Sequence, residues 1–150
     1  MTAQQFDKQT ASEIIAGFDA RPEMLVQILH QFIERFGWIS EEAIRQLAAE
    51  LNLSRADVHG VVSYYHDFRT EPPGKHIVKI CAAEACQAMG SRDLEAHAAS
   101  QLEGDDITLE PVYCLGNCAC SPAVMVDGKT YGRVSNDRFD DIMASLGESG

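Results

Sequence analysis

The sequence has few basic residues: Lys and Arg number 12 against 23 Asp and Glu, for a formal charge of −11. The acids are spread along the chain with no basic block between them, so a phosphate backbone would be repelled and a nucleic-acid partner is disfavoured. Nor is there any apolar run near the roughly 20 residues that a membrane helix needs. The first residues, MTAQQFDKQTASEII, lack a basic stretch followed by an apolar one. No signal peptide is therefore expected, and the expected compartment is the cytoplasm, where thiols stay reduced. Gly-x-Gly-x-x-Gly, a phosphate-binding glycine loop and a nucleophile elbow are all missing. The chain thus offers no site for NAD, a flavin or a molybdenum cofactor, and is not expected to carry out substrate chemistry alone. His30, His59, His66, His76 and His97 form no zinc-protease pattern. Cysteine is absent from the first 80 residues.

What is present divides at Thr70-Glu71-Pro72-Pro73-Gly74. Two prolines deny a helix its donors and restrict the residues before them, so residues 71–75 read as a linker. With 150 residues, 45% of them hydrophobic and 23% charged, the chain suits one globular domain or two small units. Residues 1–70 read as a helical bundle. Met24, Leu25, Ile28, Leu29, Phe32, Ile33 and Phe36 share one helix face, opened by Pro22 and closed near Gly37. Ser40-Glu41-Glu42 and Ser54-Arg55-Ala56-Asp57 suit two further helix starts. Their apolar faces are Ile44, Leu47, Ala48 and Leu51, then Val58, Val61, Val62 and Tyr65. A short helix is expected over Ser12–Phe18. Tyr64, Tyr65 and Trp38 read first as core packing, with a docking face as the alternative.

Residues 76–150 alternate in type. His76–Ile80 and Ile107–Tyr113 read as strands and Ser91–Leu102 as a helix. Ala123–Val126 and Lys129–Val134 read as a hairpin around Asp127-Gly128, and Asn136–Leu146 as a closing helix. That order fits a small mixed sheet with helices packed on it, in the α+β or α/β class.

The main chemical signal is Cys81-x4-Cys86 followed by Cys114-x3-Cys118. Each pair lies just after a predicted strand, so the four thiolates can converge. Soft thiolates select iron–sulfur clusters or zinc over hard cations. Two-and-two spacing suits a [2Fe–2S] rhomb with each pair gripping one iron, and it also suits tetrahedral zinc. Inert buried thiols and a thiol–disulfide enzyme remain alternatives, although Cys118-Ala119-Cys120 is not the redox Cys-x-x-Cys. Cys120 reads as packing or as a neighbour of the ligands. Gly90 and Gly116 would let the backbone bend around a cluster and aim amides at its sulfurs.

Cys81-x4-Cys86, Tyr113-Cys114-Leu115-Gly116-Asn117-Cys118 and Pro122-Ala-Val-Met-Val resemble the thioredoxin-like [2Fe–2S] subunit of respiratory complex I and its relatives. So do Phe36-Gly37-Trp38-Ile39 and Leu53–Val61 in the helical half. The resemblance implies a helical bundle followed by a thioredoxin-like [2Fe–2S] ferredoxin domain, with Cys81, Cys86, Cys114 and Cys118 as ligands to the cluster iron. Ala83-Glu84-Ala85-Cys86-Gln87, Leu109–Cys114 and Cys118-Ala119-Cys120 resemble one branch, the gamma subunit of NAD-dependent molybdenum formate dehydrogenases. Complex I and NAD-linked hydrogenases remain the other branches. The resemblance implies an electron carrier with no catalytic residue of its own. FMN, NAD, a molybdenum cofactor and further iron–sulfur clusters would lie only in partners, a flavin-bearing beta subunit and a molybdenum-bearing alpha subunit. Tyr64, Tyr65 and Phe68 are the expected surplus for docking.

Overall fold

A computed structural model describes residues 5–102, 104 and 106–147. Backbone contacts divide these residues into two units that meet at Pro73 and Gly74.

In the first unit, helix α1 spans Lys8–Ala16. It starts ahead of the expected Ser12 because Asp7 caps it, accepting from Thr10 N at 2.8 Å and Thr10 Oγ1 at 2.6 Å. Those bonds from Thr10 hold the Asp7 carboxyl below its ordinary value. A 3-10 turn at Pro22–Met24 leads into α2, Leu25–Phe36, so the periodic segment begins as a tighter turn than the expected α-helix. Ser40 Oγ caps α3, Glu41–Glu50, accepting from Ala43 N at 3.1 Å. Ser54 and Asp57 form a reciprocal capping box on α4, Arg55–Tyr64. The apolar faces of these helices enclose Ile15, Ile28, Leu29, Phe32, Ile44, Leu47 and Val58, all essentially free of solvent.

Two expectations fail here. Tyr64 is 77% exposed and Tyr65 is also exposed, so neither is core. Helix α4 ends at Tyr64, and Tyr65 turns to extended backbone, which takes it off the buried face. Conversely, Phe68 is only 4% exposed and lies in the core, edge-on to His30, so it is no part of a docking surplus.

The second unit holds a four-stranded sheet in the order β2-β1-β3-β4. Its strands are β1 His76–Cys81, β2 Ile107–Val112, β3 Val124–Val126 and β4 Lys129–Tyr131. Strand β1 runs parallel to β2 and antiparallel to β3, and β3 and β4 form the expected hairpin. Its turn has φ of 48° at Asp127 and 84° at Gly128, the two positive angles that a primed turn demands. Pro111 has no N–H to give a ladder, and it lies on the edge strand β2, where none is required.

Three helices complete this unit: α5 Glu84–Ala88, α6 Ser91–Gln101 and α7 Asn136–Gly147. Alternate residues Val78, Ile80, Val124 and Val126 pack against Leu94 and Ala98 of α6 and Phe139 and Ile142 of α7. Helix α5 and a 3-10 turn at Cys118–Cys120 had no counterpart in the sequence pattern, because both are too short to show a period. No helix among the described residues is long and apolar enough to cross a membrane.

Candidate metal centre

Parallel pairing of β1 with β2 creates the site. Two parallel strands end at the same edge of the sheet, and the register sets Cys81 opposite Val112. The chain leaving β1 enters α5, which carries Cys86. The chain leaving β2 reaches Cys114 two residues later. Cys81 and Cys86 are buried together with Ala123, against Ala83, Val112 and Leu115. Cys114 and Cys118 are exposed, with their Sγ atoms 3.9 Å apart.

Backbone geometry holds this edge in shape. Gly116 adopts φ 69°, a left-handed angle that lets its N–H turn back and donate to Cys114 Sγ at 3.3 Å. Gly90 also has positive φ, 95°, where α6 begins. Cys114 itself is held at φ 109°, a region that costs an ordinary residue about 1–3 kcal/mol.

Ser121, Arg133 and Gly132 are parts of the site that the sequence pattern did not reveal. Ser121 Oγ donates to the Cys118 carbonyl at 2.7 Å and lies 3.5 Å from Cys86 Sγ. Arg133 N donates to Cys120 O at 2.6 Å, tying the 3-10 turn to the end of the hairpin. Gly132 packs so closely on that turn that a Cβ there would lie 2.7 Å from Cys120 Cβ. The sequence pattern places Gly132 inside the expected strand Lys129–Val134, whereas the strand ends at Tyr131 and the glycine lies just beyond it. Cys120 itself is half-buried in this packing.

The thiols respond to one another. Burial pushes the Cys86 thiol up, but hydrogen bonding with Ser121, the Ala123 backbone and Cys81 outweighs it and leaves the group below its ordinary value. Cys118 is raised, first by its hydrogen bond with Cys114 and the Cys114 charge, then by burial and the charges of Cys86 and Cys81. Ionising all four therefore builds up mutual repulsion that bound cations relieve. Among the described residues, no three His, Cys, Asp or Glu side chains group around a single metal position. The arrangement is two pairs, one buried and one exposed. This donor set fits a [2Fe–2S] cluster: four soft ligands in two pairs, with an amide aimed at one sulfur.

Comparison with known proteins agrees with this chemistry. A family model described as thioredoxin-like [2Fe–2S] ferredoxin matches residues 11–147. A subunit of the NADH-quinone oxidoreductase of Buchnera aphidicola is 29% identical, over 81% of this chain and 76% of its own length. The NADP-reducing hydrogenase subunit HndA of Solidesulfovibrio fructosivorans is 33% identical, over 88% of this chain and 84% of its own. Among solved structures, an NAD+-reducing [NiFe]-hydrogenase superposes with a TM-score of 0.68 at 19% identity, over 84% of this chain. This chain spans only 23% of that hydrogenase chain, and the likeness concerns the fold alone. The family match sets aside the zinc, inert-thiol and thiol–disulfide alternatives. The chain belongs to the thioredoxin-like [2Fe–2S] ferredoxin family, and its cofactor is a [2Fe–2S] cluster.

Proposed function

We propose that this chain is an electron-transfer subunit whose Cys81, Cys86, Cys114 and Cys118 hold the cluster, and that it works docked on a flavin-bearing partner of a nicotinamide-linked oxidoreductase. One observation carries the reading: parallel strands deliver two thiol pairs to one sheet edge, one pair buried and the other exposed. When bound, the cluster supplies a one-electron couple. The buried pair, Cys81 and Cys86, would hold it from the interior, and the exposed pair, Cys114 and Cys118, would hold it from the surface, where a partner's redox group could approach. The Gly116 amide offsets negative charge at Cys114, while the acidic chain as a whole opposes added charge. All-thiolate ligation in such a setting gives a low potential, on the order of −400 mV by analogy with plant-type clusters.

Within this class we place the chain with the gamma subunit of NAD-dependent molybdenum formate dehydrogenase, beside a flavin beta subunit and a molybdenum alpha subunit in the cytoplasm. The support is the run Ala83–Gln87, the run Leu109–Cys114 and Cys118-Ala119-Cys120. The second reading is the equivalent subunit of a complex I or of a hydrogenase. It is favoured by the two relatives, whose names are those of a quinone oxidoreductase subunit and a hydrogenase subunit. Purifying the native complex through this chain separates the readings. Formate-dependent NAD reduction by that complex is the expected result. Hydrogen-dependent nicotinamide reduction or NADH-dependent quinone reduction, without formate oxidation, would move the chain to the second reading. For the ligands, serine at Cys81, Cys86, Cys114 or Cys118 should abolish or strongly alter the cluster. A variant at any of these four that keeps a native cluster removes that residue from the set.

A further inference from the structure

Ser121 lies between the two cysteine pairs. Its residue is 7% exposed. Its hydroxyl donates to the Cys118 carbonyl at 2.7 Å and lies 3.5 Å from Cys86 Sγ. The segment around it is clamped: Cys120 O accepts from Arg133 N at 2.6 Å, Pro122 O from Val134 N at 3.0 Å, and Ala123 O from Cys81 N at 3.1 Å. The backbone at Ser121 is therefore fixed, and the hydroxyl leaves these neighbours only by a change of side-chain rotamer.

While Cys86 is a thiol, its S–H can donate to Ser121 Oγ and the hydroxyl proton is free for the carbonyl. Once Cys86 is a thiolate on iron, it can only accept. One proton then faces two acceptors, a carbonyl oxygen and an anionic sulfur. Adding an electron makes the sulfur the stronger acceptor, because hydrogen bonds to charged groups are the stronger ones.

We propose that the Ser121 hydroxyl is a redox-tuning donor: it turns toward Cys86 Sγ when the cluster is reduced, stabilises that state and so raises the midpoint potential. This rests on Cys86 being a ligand. No atom is transferred, and a single O–H exchanges one acceptor for another. The hydroxyl proton is directed at the Cys118 carbonyl in the oxidised state and at the more negative sulfur in the reduced one, so only the difference between the two bonds tunes the couple.

The test is an EPR-monitored redox titration of the full chain, loaded with cluster, as wild type, Ser121→Ala, Ser121→Gly and Ser121→Thr, with iron and sulfide assayed on each. At fixed ambient potential, Ala and Gly should lower the ratio of reduced to oxidised cluster about tenfold, equivalent to about 59 mV for a one-electron couple. Thr keeps the hydroxyl and should titrate with the wild type. Pulsed EPR of the reduced protein exchanged into D2O should show a deuteron coupling in wild type and Thr that Ala and Gly lack. An unchanged midpoint in a fully loaded Ala or Gly variant overturns the proposal, as does a Thr variant displaced as far as Ala. If Thr loads while neither hydroxyl-free variant does, the hydroxyl serves assembly rather than potential, and the proposal is equally overturned. Cys86→Ser is measured alongside. A native cluster in that variant sinks the ligand assignment itself, whereas cluster loss there with no shift in Ser121→Ala sinks only the role of Ser121.

Discussion

Gly132→Ala should damage the centre from outside the ligand set. An added Cβ would lie 2.7 Å from Cys120 Cβ, 2.8 Å from Asn117 Nδ2 and 3.0 Å from Cys120 O. Carbon atoms pack at about 3.5–4.0 Å, so roughly 1 Å must be found. The Asn117 amide is the end of a side chain and can swing away. Cys120 cannot move as freely, because its carbonyl is held by Arg133 N and its own N–H donates to Asn117 O at 3.0 Å. Overpacking of this kind costs about 1–3 kcal/mol. In a unit of this size, each kcal/mol moves the melting temperature by about 4–8 °C, so a drop on the order of 10 °C is expected. Because Asn117 and Cys120 flank Cys118, iron per chain should fall as well. The measurements are thermal melting by circular dichroism and iron analysis after reconstitution. Gly60→Ala is the control: it lies within α4, nothing stands within 4 Å of its Cβ, and Ala should stabilise that helix by about 0.5–1 kcal/mol. A Gly132→Ala protein with wild-type melting and full iron would refute the argument from close approach.

Phe32 is fully buried among the helices of the first unit, so Phe32→Ala should cost about 3–5 kcal/mol, read as loss of helical signal at a lower urea midpoint. At Asp127, burial pushes the carboxyl up, but the Ile77 N–H and His76 outweigh it and leave it below 3.8. Its contribution to stability is therefore complete above the unfolded value and is lost as pH falls through the depressed folded one. Asp127→Asn should accordingly lose less urea stability than wild type as pH falls below the unfolded aspartate value of about 3.9, and parallel losses there would contradict the pairing. Cys120→Ser should keep iron, sulfide and the EPR signal close to wild type, since Cys120 packs on Gly132; a cluster-free variant would make Cys120 a ligand.

The sequence by itself determined the local elements and the donor chemistry. Periodic apolar positions and Ser caps specify α2, α3 and α4, because a helix face and its free amides are satisfied within a few residues. Asp127-Gly128 specifies the hairpin for the same reason. The paired cysteine spacing marks a soft-metal centre before any fold is known, since thiolate preference belongs to the residue itself. Only the tertiary structure decided how the pairs meet. Parallel pairing of β1 with β2 joins residues about thirty apart in the chain, and nothing in either strand's own pattern distinguishes it from antiparallel pairing. Tyr64, Tyr65 and Phe68 carry similar apolar signals, yet the tyrosines face solvent and the phenylalanine is buried, because the end of α4 reverses the face the chain presents. Ser121 and Gly132 were silent in the sequence for a related reason. A hydroxyl beside a sulfur, or a backbone pressed against a turn, exists only once distant segments are packed together.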